Sequence, residues 1–122
     1  MAEDRTTHWR SRLSKIGEAL PEAEITGTQH LTFRVRGKTF AYYLVDHHGD
    51  GRVGLAYKAA PGAQQELVDA EPDRFYVPAY VGSKGWVALD LEAAAIDWSE
   101  VTAILQDAYR LTAPKRLAQQ LT

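Results

Sequence analysis

The stretch from His30 to Val45 reads HLTFRVRGKTFAYYLV, which is the pattern of two strands joined by a tight turn. Up to Val35, apolar residues at odd-numbered positions alternate with polar ones, as is typical of a half-buried strand. Residues 36–38 predict the turn, because Gly37 can adopt a positive φ without steric cost. Thr39–Val45 carries aromatic and aliphatic residues on both faces, so we expect this strand to lie centrally, with helices covering one side.

The segments that follow this hairpin extend the predicted sheet. Asp46–Gly51 is polar and rich in glycine, so it predicts a turn, and Val53–Tyr57 predicts a third strand. Together these three strands predict an antiparallel meander. Farther along, Tyr76–Tyr80 is predicted to be short and extended, and Gly82–Gly85 is predicted to turn into a strand from Trp86 to Leu91.

Two helices are predicted outside these strands in the first two thirds of the chain. The first is an amphipathic helix that Thr6 or Thr7 caps and that ends at Pro21. Its apolar positions recur at helical spacing: Trp9, Leu13, Ile16 and Leu20. The second lies between Pro61, which suits a first helical turn, and Pro72, which stops it.

The C-terminal segment predicts the best-defined helix. Asp97 is a suitable N-cap, and Glu100 three residues later completes a capping box. The apolar stripe of this helix consists of Trp98, Val101, Leu105, Ala108 and Tyr109. Pro114 then begins a final short helix. The fold class predicted is therefore α+β, an antiparallel β-sheet with helices packed on one face, in a single domain over residues 1–122.

The composition is that of a globular protein, with 45% apolar and 25% charged residues. The absence of cysteine excludes disulfides, thiolate metal ligands and a cysteine nucleophile. No run approaches the roughly 20 apolar residues of a membrane helix, and the first residues lack the apolar stretch of a secretory signal. We therefore expect a cytoplasmic protein without membrane association.

No constellation in the sequence predicts catalysis or metal binding. Asp46, His48 and Asp50 occupy the first ligand positions of a calcium loop, but Tyr57 stands where a bidentate glutamate is needed. The chain lacks a Gly-x-Ser-x-Gly elbow, a phosphate-binding loop and a dinucleotide-binding glycine fingerprint. We therefore predict no catalytic residue, metal ligand or cofactor, and expect the protein not to be an enzyme.

Charge is unevenly distributed along a chain whose net charge is −2. Residues 5–58 hold nine basic and five acidic side chains, whereas residues 59–100 hold two and eight. The basic residues on predicted strands and tight turns are Arg34, Arg36, Lys38, Lys58 and Lys84. Hairpin tips of this kind can contact phosphates or enter a groove, so these five are the candidate nucleic-acid-binding residues.

With these residues identified, the chain resembles the MmcQ/YjbR family of small bacterial proteins from about Phe33 to Leu117. The resemblance is carried by Phe33–Ala41, Lys58, Pro78–Gly82, Gly85–Val87, Leu89-Asp90, Asp107–Tyr109 and Ala113–Lys115. It implies a CyaY-like α+β sandwich and the DNA-binding label that members often carry, with a double-wing arrangement. The chain departs from many relatives at Val81, where they carry a histidine.

Two functions remain open on this basis. In the first, the protein is a monomeric, non-enzymatic DNA-binding module whose wing tips are residues 36–38 and 82–85, with Trp86 as a supporting or stacking residue. In the second, it is a protein-interaction or small-ligand-binding domain with no nucleic-acid role, which uses the aromatic surface of Tyr76–Tyr80.

Overall fold

The computed structural model describes residues 2–121, and the side chains of residues 5–47 and 49–121. Within that part of the chain, six strands form one antiparallel sheet in the order β1-β2-β3-β4-β6-β5. The strands are β1 (Ala23–Thr26), β2 (Leu31–Val35), β3 (Lys38–Val45), β4 (Val53–Tyr57), β5 (Phe75–Tyr76) and β6 (Val87–Asp90). The helices are α1 (Ala2–Glu18), α2 (Ala63–Ala70), α3 (Trp98–Thr112) and α4 (Lys115–Ala118). Three short 3₁₀ turns cover His47–Gly49, Val81–Lys84 and Gln119–Leu121.

The predicted meander is confirmed as β2, β3 and β4, with β3 in the interior of the sheet. Only Arg36 and Gly37 separate the paired residues Val35 and Lys38, so the hairpin loop is two residues long. Their φ values of 51° and 78° are both positive, as a type I′ turn requires. The α+β class is likewise confirmed. Helices α1 and α3 both pack on β3 and on each other, and α2 contacts β5 and β6.

The core lies between the sheet and the helices. Phe40 on β3 is fully buried, and its ring centroid lies 5.7 Å from that of Tyr109 on α3. Two buried tyrosines also donate hydrogen bonds to distant backbone. Tyr43 Oη donates to Thr6 O at 2.8 Å, and Tyr109 Oη donates to Pro21 O at 2.6 Å. These bonds satisfy the hydroxyls in the core. The first holds the start of α1 on β3, and the second holds the segment after α1 against α3.

The largest differences from prediction are at the start of α1, at β1 and at β5. Helix α1 begins at Ala2, so the cap at Thr6 or Thr7 was wrong; Ala, Glu and Arg are good helix formers and extend the helix at its start. Strand β1 was not predicted, because its four residues include a single large apolar side chain, Ile25. The extended segment predicted at Tyr76–Tyr80 contributes only its first residue to β5.

The start of α3 confirms one half of the predicted capping box. Asp97 Oδ1 accepts hydrogen bonds from the backbone N–H groups of Ser99 at 2.9 Å and Glu100 at 3.3 Å. The Glu100 carboxylate does not bond back to the cap; it forms an ion pair with Arg74, which also pairs with Glu71. The charge on Arg74 therefore joins α3 to the segment that leads into β5.

No helix in the described chain is long and apolar enough to cross a membrane.

Candidate nucleic-acid interface

One face of the sheet points away from the core and is called the open face here. Cross-strand register places Thr32, Tyr42, Ala56, Ala88 and Tyr76 side by side on it. A second row lies two residues along each strand, except on β3, where the register shift in its pairing with β2 brings Thr39, three residues from Tyr42, onto the open face. Arg34 and Thr39 are paired on β2 and β3, and Lys58 and Trp86 extend the row just beyond the ends of β4 and β6.

The five predicted cations all lie at the end of the sheet that carries this second row, and this set is called the basic end. Arg36 and Lys38 are in and beside the β2–β3 turn, and Arg34 is one pair behind it. Lys58 directly follows Tyr57, which pairs with Val87. Lys84 lies in the 3₁₀ turn just before β6, the strand that contains Val87. The sheet therefore brings together charges from three separate segments of the chain.

The cations of the basic end differ in how far they are already neutralised. Arg36 donates from Nε and Nη2 to the two carboxylate oxygens of Glu22, at 2.7 and 3.1 Å. The hydrogen bonds of this pair lower the pKa of Glu22 and raise the pKa of Arg36. The three lysines of the basic end differ from Arg36. No carboxylate among the described side chains lies within 4.0 Å of the ammonium group of Lys38, Lys58 or Lys84.

The other end of the sheet carries mainly acidic residues. Asp46 and Asp50 lie in the β3–β4 turn, and Asp90 and Glu92 lie at the end of β6 and just after it. Asp46 Oδ1 accepts from Gly51 N–H at 2.6 Å and Asp50 Oδ1 from Arg52 N–H at 2.8 Å, so both carboxylates hold the turn itself. The sheet therefore has a basic and an acidic end. Strand pairing sets this polarity rather than the asymmetry along the sequence, since Asp46 and Asp50 come from the basic segment 5–58 and Lys84 from the acidic segment 59–100.

The calcium-loop pattern of Asp46, His48 and Asp50 lies in this turn. The His48 side chain lies outside the described residues. Among those described, no group of three His, Asp or Glu side chains is placed to hold a metal ion.

The segment that joins the predicted aromatic surface of Tyr76–Tyr80 to the predicted wing tip at residues 82–85 lies against β3 on the open face. Tyr80 has φ 63° and ψ −66°, and Val81 N–H donates to Ala79 O at 2.7 Å. An i to i+2 hydrogen bond with these angles defines a γ-turn of the rare, strained kind. The Tyr80 side chain is nonetheless 75% exposed. No pattern in the sequence signals this conformation, since Tyr is not a turn-forming residue.

A small cavity of about 220 Å³ lies under this segment. It is lined by Tyr42, Leu44, His47, Ala79, Tyr80 and Val81. The ring centroids of His47 and Tyr80 are 6.4 Å apart, with the planes nearly perpendicular. The cavity therefore has aromatic walls from both the sheet and the crossing segment.

Trp86 supports the segment from below. Its side chain is 7% exposed, and its ring centroid lies 5.8 Å from that of Tyr42 on the open face. Gln64 on α2 fixes the ends of the segment, since its Nε2 donates to Gly82 O at 2.8 Å and to Trp86 O at 2.7 Å. Of the two roles predicted for Trp86, burial favours support over stacking. The role of Gln64 had no signal in the sequence.

A second, larger cavity of about 460 Å³ lies on the helical side. It is bounded by the segment after β4 and by α2 and α3. Leu67, Ile104 and the partly exposed Leu111 supply much of its apolar lining, and Asp107 and Arg110, paired at 2.9 Å, supply polar groups. This cavity is the strongest structural feature in favour of a small-ligand role.

These elements define an α+β protein whose antiparallel sheet is covered by helices on one side and carries a basic end. The YjbR family model matches residues 18–111, and the chain belongs to the YjbR family. The chain is also similar in structure to a Deinococcus radiodurans protein, DR2400, whose crystal structure carries the family-model domain DUF419. The TM-score is 0.67 at 22% identity, over 89% of this chain and 84% of that one, which extends the likeness in fold to almost the whole sheet and its helices. No curated protein matched the chain.

Proposed function

We propose that this protein binds DNA, without a catalytic step, through the basic end of its sheet. The observation that carries the proposal is the convergence of Lys38, Lys58 and Lys84. They come from three segments, lie at one end of the sheet and have no carboxylate partner among the described side chains. We also propose that the protein acts as a monomer in the cytoplasm, where bacterial DNA is directly accessible.

The physical basis is the release of counterions from phosphates. Two projecting turns, residues 36–38 and 82–85, are the candidate wings, and Lys58 lies in the row between the segments that carry them. Arg34, whose Nε donates to Thr39 Oγ1 at 3.2 Å, is held flat on the open face and can add a further phosphate contact. The ion pair with Glu22 reduces what Arg36 contributes.

The test is fluorescence anisotropy of labelled duplex and single-stranded DNA, titrated with the protein at two salt concentrations. Three phosphate contacts give a slope near −2.7 in log K against log salt, so duplex affinity falls about 40-fold between roughly 50 and 200 mM salt. Replacing any one of the three lysines by glutamine should reduce the slope by about 1.

Lys15→Gln is the matched control, because it removes one exposed lysine charge from α1 rather than from the sheet. It should leave affinity and slope unchanged. Equal losses for Lys15→Gln and Lys38→Gln would mean that net charge, and not the basic end, governs binding. Absence of binding at the lower salt concentration would refute the proposal.

The alternative, a small-ligand or protein-interaction domain, is favoured by the cavity of about 460 Å³. It falls within the range of roughly 300–1,000 Å³ that is typical of small-molecule sites. The variant Ala63→Leu introduces a larger side chain at this cavity and keeps every lysine charge, including that of Lys58, which also lines the cavity. If DNA does not bind, and the apolar dye anilinonaphthalene sulfonate binds the folded protein but not Ala63→Leu, the ligand-binding function is the better one.

A further inference from the structure

The feature that the DNA-binding proposal leaves unexplained is Tyr80. A residue with a side chain at φ 63° and ψ −66° is strained, and such strain persists only where the surrounding structure imposes it. Here hydrogen bonds hold the residues that follow the turn. Gln64 ties the two carbonyls of Gly82 and Trp86 to α2, and Ser83 Oγ donates to Tyr80 O at 3.1 Å.

The strain does not serve burial of the Tyr80 ring, which remains 75% exposed. It places the ring at the rim of the open-face cavity, opposite Tyr42 and Leu44 of β3. At about 220 Å³ this cavity is smaller than the roughly 300 Å³ at which drug-sized ligand sites begin. A single planar ring system fits such a space better than an extended molecule.

The cavity extends along β3 from Tyr42 toward His47 in the β3–β4 turn, and its Tyr42 end is the one nearer the basic end. Tyr42 pairs with Ala56, and Lys58 lies two residues farther along, which is about 7 Å at the rise of a strand. The Tyr42 ring also contacts Trp86, two residues after Lys84. An occupant that presents a planar ring to the cavity can therefore present a negative charge to these two lysines at the same time.

We propose that the open-face cavity receives one unpaired base of a DNA strand, with the base stacked on Tyr80 and the neighbouring phosphates on Lys58 and Lys84. This inference rests on the DNA-binding proposal and names the form of DNA preferred. Aromatic side chains beside a cationic groove bind single strands in this way, because every base has a π-face. Paired bases in a duplex have their faces covered by their neighbours, so the preference is for single-stranded DNA.

The experiment compares three probes on the full chain by anisotropy competition at low salt. The probes are a labelled oligothymidylate, an abasic oligonucleotide with the same backbone, and a duplex of the same length. We expect oligothymidylate to bind about 5- to 150-fold more tightly than the abasic strand, the range for stacking of one base. Tyr80→Ala should remove that difference and leave duplex affinity unchanged, whereas Tyr80→Phe should retain it.

The outcomes separate this inference from the one on which it rests. If no probe binds, DNA binding itself is refuted. If all three probes bind, but the abasic strand binds as tightly as oligothymidylate, DNA binding stands and the base site is refuted. The same holds if Tyr80→Ala weakens the binding of duplex and single strand alike. Free thymidine monophosphate should compete only weakly; competition equal to that of oligothymidylate would overturn the assignment to a strand and assign the site to a free nucleotide.

Folding is checked separately, because Tyr80→Ala retains the strained backbone. Tyr80→Gly removes both the ring and the steric cause of the strain. It should therefore lose the oligothymidylate preference while unfolding cooperatively. A Tyr80→Gly protein that is folded and keeps the preference would overturn the inference without any ambiguity about stability.

Discussion

Replacement of Tyr80 by glycine and by alanine should reverse the usual order of stability. At an ordinary exposed position, a variant with glycine is less stable than the variant with alanine by roughly 0.5–1 kcal/mol, because glycine loses more backbone entropy on folding. At Tyr80 the backbone angles of 63° and −66° strain any residue that has a Cβ. Such strain costs on the order of 1–3 kcal/mol, and only glycine relieves it.

The remaining contribution comes from the part of the ring that is buried. Tyr80 is 75% exposed, so about a quarter of a tyrosine's buried area, roughly 50 Å², is lost in either variant. At about 25 cal/mol per Å² this loss is about 1 kcal/mol. For Tyr80→Gly, strain relief offsets this loss and the entropy cost, so its stability should lie within about 1 kcal/mol of the parent protein. Tyr80→Ala keeps the strain and should be destabilised by about 1 kcal/mol.

Thermal or urea unfolding monitored by tryptophan fluorescence measures the difference. For a chain of this size 1 kcal/mol corresponds to about 3–5 °C in Tm. Val77, which is 53% exposed in the same segment and has no positive φ, is the matched position. There alanine should be the more stable of the two replacements. A Tyr80→Ala protein as stable as Tyr80→Gly would mean that the strain does not exceed the entropy cost of glycine, about 0.5–1 kcal/mol, and the argument built on the strain would fail.

Three other perturbations test parts of the fold. Gly54→Ala would place its Cβ 2.2 Å from Tyr76 Oη and should lower the free energy of unfolding by about 1–3 kcal/mol. Tyr76→Phe removes that hydroxyl, so a double-mutant cycle should show most of this stability recovered when both substitutions are present. Asp97→Ala removes the acceptor for two N–H groups of α3 and should lower the free energy of unfolding by about 1 kcal/mol. Asp97→Asn keeps an acceptor and should lose less. Equal losses for the two variants would contradict the role of Asp97 as an N-cap. Burial raises the pKa of Tyr43 and of Tyr76 from 10.0 to about 12. Because both pKa values are higher in the folded protein than in the unfolded chain, the two protonated tyrosines contribute to the free energy of unfolding. This contribution is fully present below pH 10 and is lost as the pH rises toward 12. An absorbance titration that ionised all tyrosines together near pH 10, before unfolding, would disprove the burial.

Sequence patterns predicted the elements whose information is local. The β2–β3 hairpin follows from alternation on either side of a two-residue turn, and α3 follows from its cap and its apolar stripe. Strand β1 has neither signal. It exists because the outer edge of β2 offers backbone groups that residues 23–26 can pair with, and that partner is defined only in the folded chain.

The candidate site shows the same division. The five cations were identified from sequence because their residue type and turn context are local. Their convergence depends on the pairing of β4 with β6, which joins residues about thirty positions apart. The partial neutralisation of Arg36 by Glu22 was not predicted, since Glu22 is brought there by the unforeseen β1. The γ-turn at Tyr80 was missed because Tyr has no preference for it, and because the bonds from Gln64 that hold the following residues to α2 form only in the folded chain.

The charge polarity of the sheet limits how a DNA strand can lie on it in the proposed mode. A backbone that ran parallel to β3 would pass from the lysines toward Asp46 and Asp50, where each phosphate would meet a carboxylate. A backbone that crosses the strands instead stays beside Arg34, Lys58 and Lys84, and it keeps the cavity on a single side. In that orientation one base can turn toward Tyr80 while the phosphates remain at the basic end. The arrangement of charge and the position of the strained tyrosine therefore favour the same path across the sheet.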